Sequence, residues 1–211
     1  MNNEADDDKP LEPAAMLALL EQQKRAVDLA YLRPVGWLYT VWGVAWVVGF
    51  LLLWLAATTE WMQESVARII FGALIIASIA VSAVVGIRIG RGIRGASDFQ
   101  GAVYGMSWTL LGIAFAALGA GLLQNGMSSD LAALYFPSAY ALMAGALYLS
   151  GAALWNERSQ LVLGIVLLAV GAIAPFFGGP ANNLVMAIGG GGAFLLAAAS
   201  YLDRIVRERR R

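Results

Sequence analysis

The chain contains no cysteine and no histidine. It therefore offers no disulfide, no thiolate nucleophile, no imidazole for acid–base catalysis, and none of the side chains that most often hold zinc or haem. Charge is scarce as well: Asp, Glu, Lys and Arg make up 13% of the 211 residues, against roughly 25% in soluble domains. So few charges do not cover a water-facing surface, and with 60% of residues hydrophobic the implied class is a membrane protein. The charge that exists is segregated. Asp6, Asp7 and Asp8 stand near the start and Arg207, Arg209, Arg210 and Arg211 at the end, so a formal net charge of zero hides an acidic and a basic terminus. The preference for Ala, Gly and Arg over Lys suggests a bacterial protein, and hence the cytoplasmic membrane.

Residues 1–12 are polar and acidic and are expected to be disordered. No apolar core precedes Val35, so the first span is expected to act as its own insertion signal rather than as a cleaved leader. Residues 13–33 are good helix formers, with Met16, Leu20, Val27 and Tyr31 at helical spacing and charges at Glu21, Lys24, Arg25 and Asp28. This pattern predicts an amphipathic helix at the cytoplasmic interface, ending at Arg33-Pro34.

A membrane-crossing helix needs roughly 20 mainly apolar residues. Six stretches qualify, at about 35–57, 66–87, 102–123, 131–155, 161–177 and 182–202, and residues 203–211 form a basic tail. All connections are short, which predicts antiparallel packing of consecutive spans. Thirteen of the fourteen Lys and Arg fall on one side of the membrane and only Arg68 on the other, which predicts that both termini are cytoplasmic. Trp37, Trp61, Trp155 and Tyr201 fall near span ends, where amphipathic rings settle.

The first span opens with Gly36 to Trp46, GWLYTVWGVAW, and the third repeats it as Gly105 to Phe115, GMSWTLLGIAF. The fifth echoes it in Gly164 and Gly171, spaced like Gly36 and Gly43 or Gly112 and Gly119. Three tandem hairpins are the simplest description.

Intramembrane ionisable residues mark proton paths, voltage sensors and aspartyl protease centres. None lies between the span ends, and no glycine-rich phosphate loop with its lysine occurs. No enzyme, no cofactor and no metal ligand set is expected. Three constellations remain. Tyr39, Trp42, Trp46, Phe50 and Trp54 form one aromatic stripe beside Gly43, suited to stacking on a flat or cationic ligand or, more plainly, to packing. Gly189, Gly190, Gly191 and Gly192 strip a full turn of side chains near the bilayer midplane. That turn is read either as a broken helix whose backbone lines a substrate path or as a close-packing face, with Ser138, Ala141, Gly145, Gly112, Ala116 and Ala120 as possible counterparts. Asn182 or Asn183 is expected to cap the sixth span. Arg88, Arg91 and Arg94 form a basic stripe in the largest cytoplasmic loop, fit for anionic lipid headgroups or a partner's acidic patch, although topogenic charge accounts for it as well. Neither basic run belongs to a folded basic domain, so no nucleic acid partner is expected.

The interfacial helix (residues 13–32), six spans and a loop after span two (residues 88–101) resemble the permease subunit of bacterial ABC exporters. That resemblance implies an elbow helix and a loop that couples to a cytoplasmic ATPase. The hairpins with their Gly-x6-Gly spacing are also similar to three-hairpin bacterial membrane proteins linked to acid resistance. The expectation is an all-α membrane protein, a six-transmembrane-helix bundle of tandem hairpins preceded by a cytoplasmic amphipathic helix. Its expected role is the membrane subunit of an export system energised by a partner protein, with the lipid bilayer, an ATPase subunit and a homo-oligomer as the partners considered. The alternative is a non-transporting scaffold, sensor or stress-related protein, and a passive oligomeric pore stands behind both.

Overall fold

The computed structural model describes residues 12–90 and 96–210, without the side chains of 24–31, 90, 96–98 and 209. Among the described residues every regular element is helical. Helix α1 runs Pro13–Thr58, α2 Glu64–Gly90, α3 Ala96–Gln124, α4 Ser129–Trp155 and α5 Arg158–Ile173. A 3-10 turn, Ala174–Phe177, leads to a sixth span built from α6 (Gly179–Val185), a π-helical turn (Met186–Gly191) and α7 (Gly192–Arg210). Six of these segments are long and apolar enough to cross a bilayer: Leu32–Thr58, Glu64–Ile89, Phe99–Gln124, Ser129–Trp155, Arg158–Phe177 and Gly179–Glu208. The chain is a multi-pass helical membrane protein.

Local chemistry sets the ends. Pro13 takes the first helical position of α1, where a missing N–H costs nothing. Ser128 caps α4 by accepting from the Leu131 amide at 3.2 Å, and Asn156 closes α4 in the left-handed conformation at φ 52°. Glu157 starts α5 by accepting from the Ser159 amide at 3.2 Å. Gly178, at φ 75°, supplies the turn before α6 that a residue with a Cβ would resist.

Two expectations about helix ends are corrected. The chain does not break at Arg33-Pro34; α1 continues through Pro34. Leu32, Val35 and Tyr39 are buried in the core cluster, Tyr39 with its ring against Tyr201, and this packing holds both sides of the proline in helical geometry despite the lost hydrogen bond. Residues 13–31 thus run into the first span as one continuous helix, ahead of the apolar stretch that begins at Leu32, and Met16, Leu17 and Leu20 stand exposed on it. Asn182 and Asn183 do not cap the sixth span, because the helix already begins at Gly179. The expected disordered stretch 1–12 lies outside the described residues except for Glu12, as does loop segment 91–95.

The spans pack in chain order around a ring: α1 on α2, α3 on α4, α4 on α5, α5 on the sixth span, and the sixth span back onto α1. The expected contact between consecutive spans fails at one place, since α2 and α3 hardly meet. The repeat spacing survives without equivalent partners. A Cβ on Gly43 would strike Leu195 of α7, one on Gly119 would strike Phe136 of α4, and one on Gly171 would strike Leu142 of α4. Thus α1 uses its glycines on the last span, α3 on the second helix of its own hairpin, and α5 on the hairpin before it.

The middle of the ring is filled by rings of another kind. Tyr39 and Trp46 of α1, Tyr148 of α4, and Phe194 and Tyr201 of α7 stack edge-on or tilted at centroid distances of 5.3–6.4 Å, the spacing at which aromatic quadrupoles attract. Tyr201, expected at the interface, is wholly buried here, whereas Trp37 and Trp61 are exposed near span ends as interfacial anchors would be.

Candidate functional site

The four glycines face four different environments. A methyl on Gly189 would press on the Val170 side chain, one on Gly190 on the Trp46 ring, and one on Gly191 on the Val47 backbone, with its amide nitrogen at 2.8 Å. At Gly192 nothing lies within 4 Å. The sixth span therefore rests its bare turn against α1 and α5. The counterparts named from sequence on α3 and α4 are not the ones met, because the sixth span packs between α1 and α5 in the ring. The helix is not interrupted at the run; it widens into one π turn with Met186 and Ala187 buried beside it. Single π turns recur at functional sites.

The aromatic stripe splits in two. Tyr39, Trp46 and Phe50 are in the core. Trp42 is half-buried and donates its indole Nε1–H to Ser82 Oγ at 2.9 Å, a side-chain hydrogen bond from α1 to α2. Of the basic stripe, Arg88 is exposed in the last turn of α2. Arg91 and Arg94 lie outside the described residues.

Sequence reasoning named Ser138 and Asn182 only as a packing counterpart and a helix cap, passed over Gln160, and did not anticipate that all three are polar groups buried inside the bundle. Asn182 is fully buried and neither atom of its amide has a partner, and Ser138 Oγ and Gln160 Oε1 are likewise buried without one. Gln160 was read as a loop residue; it stands in the first turn of α5. Gly151 of α4 makes room for it, since a Cβ there would meet both the Gln160 amide oxygen and the Tyr104 hydroxyl. The signal available in the sequence was a polar side chain next to an apolar run, which the short loop between spans four and five concealed.

Tyr104 also lines a groove between α3 and α4. Edge-on pairs, Tyr104 on Trp155 at 4.6 Å and Trp108 on Tyr148 at 5.2 Å, hold these helices apart. Beside the rings opens a groove of about 280 Å³, walled by Phe99, Gln100, Val103, Ser107, Ser150 and Leu154, with Leu147 behind. It occupies the end of the bundle that carries Arg88, Arg158 and Arg204.

At that end the α4–α5 turn holds the best-defined ion pair. Arg204 donates to both carboxylate oxygens of Glu157, at 3.2 and 3.0 Å, while its guanidinium lies 5.2 Å from the centre of the Tyr201 ring. Burial pushes the Glu157 carboxyl up, but the hydrogen bonds from Arg204 and Ser159 and the Arg204 charge outweigh it and hold the group below its ordinary value. Arg158, the next residue, is exposed and has no ion-pair partner among the described residues.

No protein-family model, curated protein or solved structure matches this chain.

Proposed function

We propose that the chain is a non-catalytic subunit of the bacterial cytoplasmic membrane that scaffolds or stabilises another membrane protein, with both termini cytoplasmic. One observation carries the reading. The apolar windows of α2 and α3 are each 6% buried within the bundle, while those of the other four spans are 33–39% buried. A closed, self-sufficient bundle buries its helices more evenly; two adjacent spans that hardly meet, each packed chiefly on one neighbour, α2 on α1 and α3 on α4, offer a broad face within the bilayer. The filled aromatic centre fits this role better than a path for substrate. The orientation follows from the arginines gathered at one end, Arg33, Arg88, Arg158 and Arg204 among them, with Arg68 at the other.

The native chain lacks cysteine, so a single Cys placed at Ile76 of α2 or Leu110 of α3 is a unique cross-linking handle. Cross-linking in native membranes is expected to yield one defined protein adduct from positions 76 and 110 and none from the lipid-exposed control Leu196 of α7. Equal yields from all three, or none, would overturn the reading.

A second reading, the membrane subunit of an export system driven by a partner ATPase, is favoured by the π turn at the glycine run. It requires that Gly190→Ala abolish flux of the exported compound in intact cells while leaving the folded protein in the membrane at its normal level.

A further inference from the structure

We propose that the groove between α3 and α4 holds one phospholipid with an anionic headgroup, taken from the leaflet at the arginine-rich end. The groove begins at Phe99 and Leu154, at the helix ends, and reaches Ser107 and Leu147 about 12 Å deeper along α3 at 1.5 Å per residue. One leaflet of a bilayer contributes about 15 Å of hydrocarbon, so the depth suits an acyl chain that enters at headgroup level. Its volume decides between occupants. A helix is 10–12 Å across and would need several times 280 Å³ over that depth, whereas a single hydrocarbon chain is thin enough to lie in it.

The walls are graded in the same sense. Phe99, Val103, Leu147 and Leu154 supply apolar contact. Ser107 and Ser150 turn their hydroxyls back onto the carbonyls of Val103 and Ala146, at 2.8 and 3.0 Å, so they present little polarity to a chain. Polarity is concentrated toward the arginine-rich end, at the exposed Gln100 and at Tyr104, beside which Gln160 keeps an unpartnered amide oxygen. Headgroup charge is matched by Arg158. It lies four residues beyond Leu154, across a turn whose own acid, Glu157, is already taken by Arg204. Nothing in the described residues neutralises Arg158, and a phosphodiester would. The rings that keep α3 and α4 apart make the groove a fixed feature rather than one the lipid must open.

Native mass spectrometry of the full chain, purified and stripped of lipid and then given dioleoyl phosphatidylglycerol or phosphatidylcholine, tests this. One phosphatidylglycerol is expected to remain bound, in about fivefold preference or more over phosphatidylcholine. Arg158→Gln should lower that preference about fivefold, the effect of removing one basic side chain near an anionic lipid, while a single lipid adduct persists. Ser150→Trp fills the groove and should remove the adduct; Val103→Trp, from the opposite wall, does the same should the first variant fail to fold. Equal retention of the two lipids, a phosphatidylglycerol adduct undiminished in a folded groove-filled variant, or dimers that carry no lipid would each overturn the proposal.

Discussion

Two interfaces of α4 are built on opposite plans. Against α5 it presents glycine to glycine: a Cβ on Gly145 would come within 2.8 Å of the Leu168 amide nitrogen and 2.9 Å of the Gly164 carbonyl oxygen, and one on Gly164 within 2.9 Å of the Gly145 carbonyl oxygen. Against α3 it presents rings, with Tyr148 and Trp155 edge-on to Trp108 and Tyr104, and two tyrosine hydroxyls that reach across to carbonyls, Tyr140 to Gly112 at 3.1 Å and Tyr135 to Phe115 at 3.3 Å. In a bilayer, helices gain little by hiding apolar surface from lipid, and what holds them is close van der Waals packing with some hydrogen bonding. Backbone-to-backbone approach is the denser solution and leaves no room. Ring spacing is looser and leaves a groove.

The largest effect should come from prising the dense interface apart. Gly145→Leu meets backbone on two sides, which cannot swing away, and is expected to cost at the upper end of the ~1–3 kcal/mol typical of overpacking, or more. Thermal unfolding in detergent, followed by fluorescence-detected size exclusion, should show little folded protein. Gly112→Leu on the ring-spaced α3 has no atom within 4 Å of its Cβ and should leave the profile close to native. If the two variants behaved alike, the contrast between the interfaces would be lost.

The glycine run sharpens the comparison within four residues. Gly191→Ala would strike the Val47 backbone and should destabilise by ~1–3 kcal/mol. Gly190→Ala meets the Trp46 ring and Gly189→Ala a valine side chain, which can yield somewhat, so their costs should fall in that order. Gly192→Ala meets nothing and should be neutral or gain up to about 1 kcal/mol through helix propensity. Unfolding midpoints that do not follow this gradient would mean that the run is not a packing face.

How far the sequence anticipates this is a matter of which physical signal is local. Span positions follow from runs of apolar residues, which is why all six appear where hydropathy places them. Helix continuation through Pro34 was invisible because the packing that sustains it, Gly36 and Tyr39 against Tyr201, joins residues more than 160 positions apart in the chain. The repeat leaves the partners open for a related reason: equal glycine spacing does not say which helix approaches, and at Gly105 and Gly112 none does. The burial of Gln160 and Asn182 was not legible, because a polar residue beside a turn is read as a loop residue or a helix cap, and only the packed bundle reveals that it is covered. The groove depends on rings of α3 meeting rings of α4 more than 30 residues away, a pairing that no one-dimensional pattern displays.

The link from α1 to α2 predicts a smaller effect. Ser82→Ala removes the acceptor of the Trp42 indole, and single side-chain hydrogen bonds between membrane helices average about 0.6 kcal/mol. The unfolding midpoint should fall slightly, and an additional Trp42→Phe change should add little, since the first substitution has already broken the bond. A double mutant that loses the full sum of two independent penalties would show that the indole acts through packing alone.

The smallest effect belongs to the ion pair at the α4–α5 turn. Glu157 is held below its ordinary value in the folded protein, so its contribution is present above the unfolded carboxyl range, about pH 4, and is lost as pH falls through the lower folded value. The Arg204 side chain is 45% exposed and solvent screens it, which keeps the contribution at or below about 1 kcal/mol. Comparing unfolding midpoints of the native chain and Glu157→Gln from pH 7 downward should give a small constant gap that closes only below about pH 4. A gap that instead widened on acidification would mean that Glu157 is protonated in the folded state and that the pair does not tie the last span to the turn. Because the bonds reach from the α4–α5 turn to α7, their loss should loosen the arginine-rich end alone and leave the glycine-sealed interface between α4 and α5 intact.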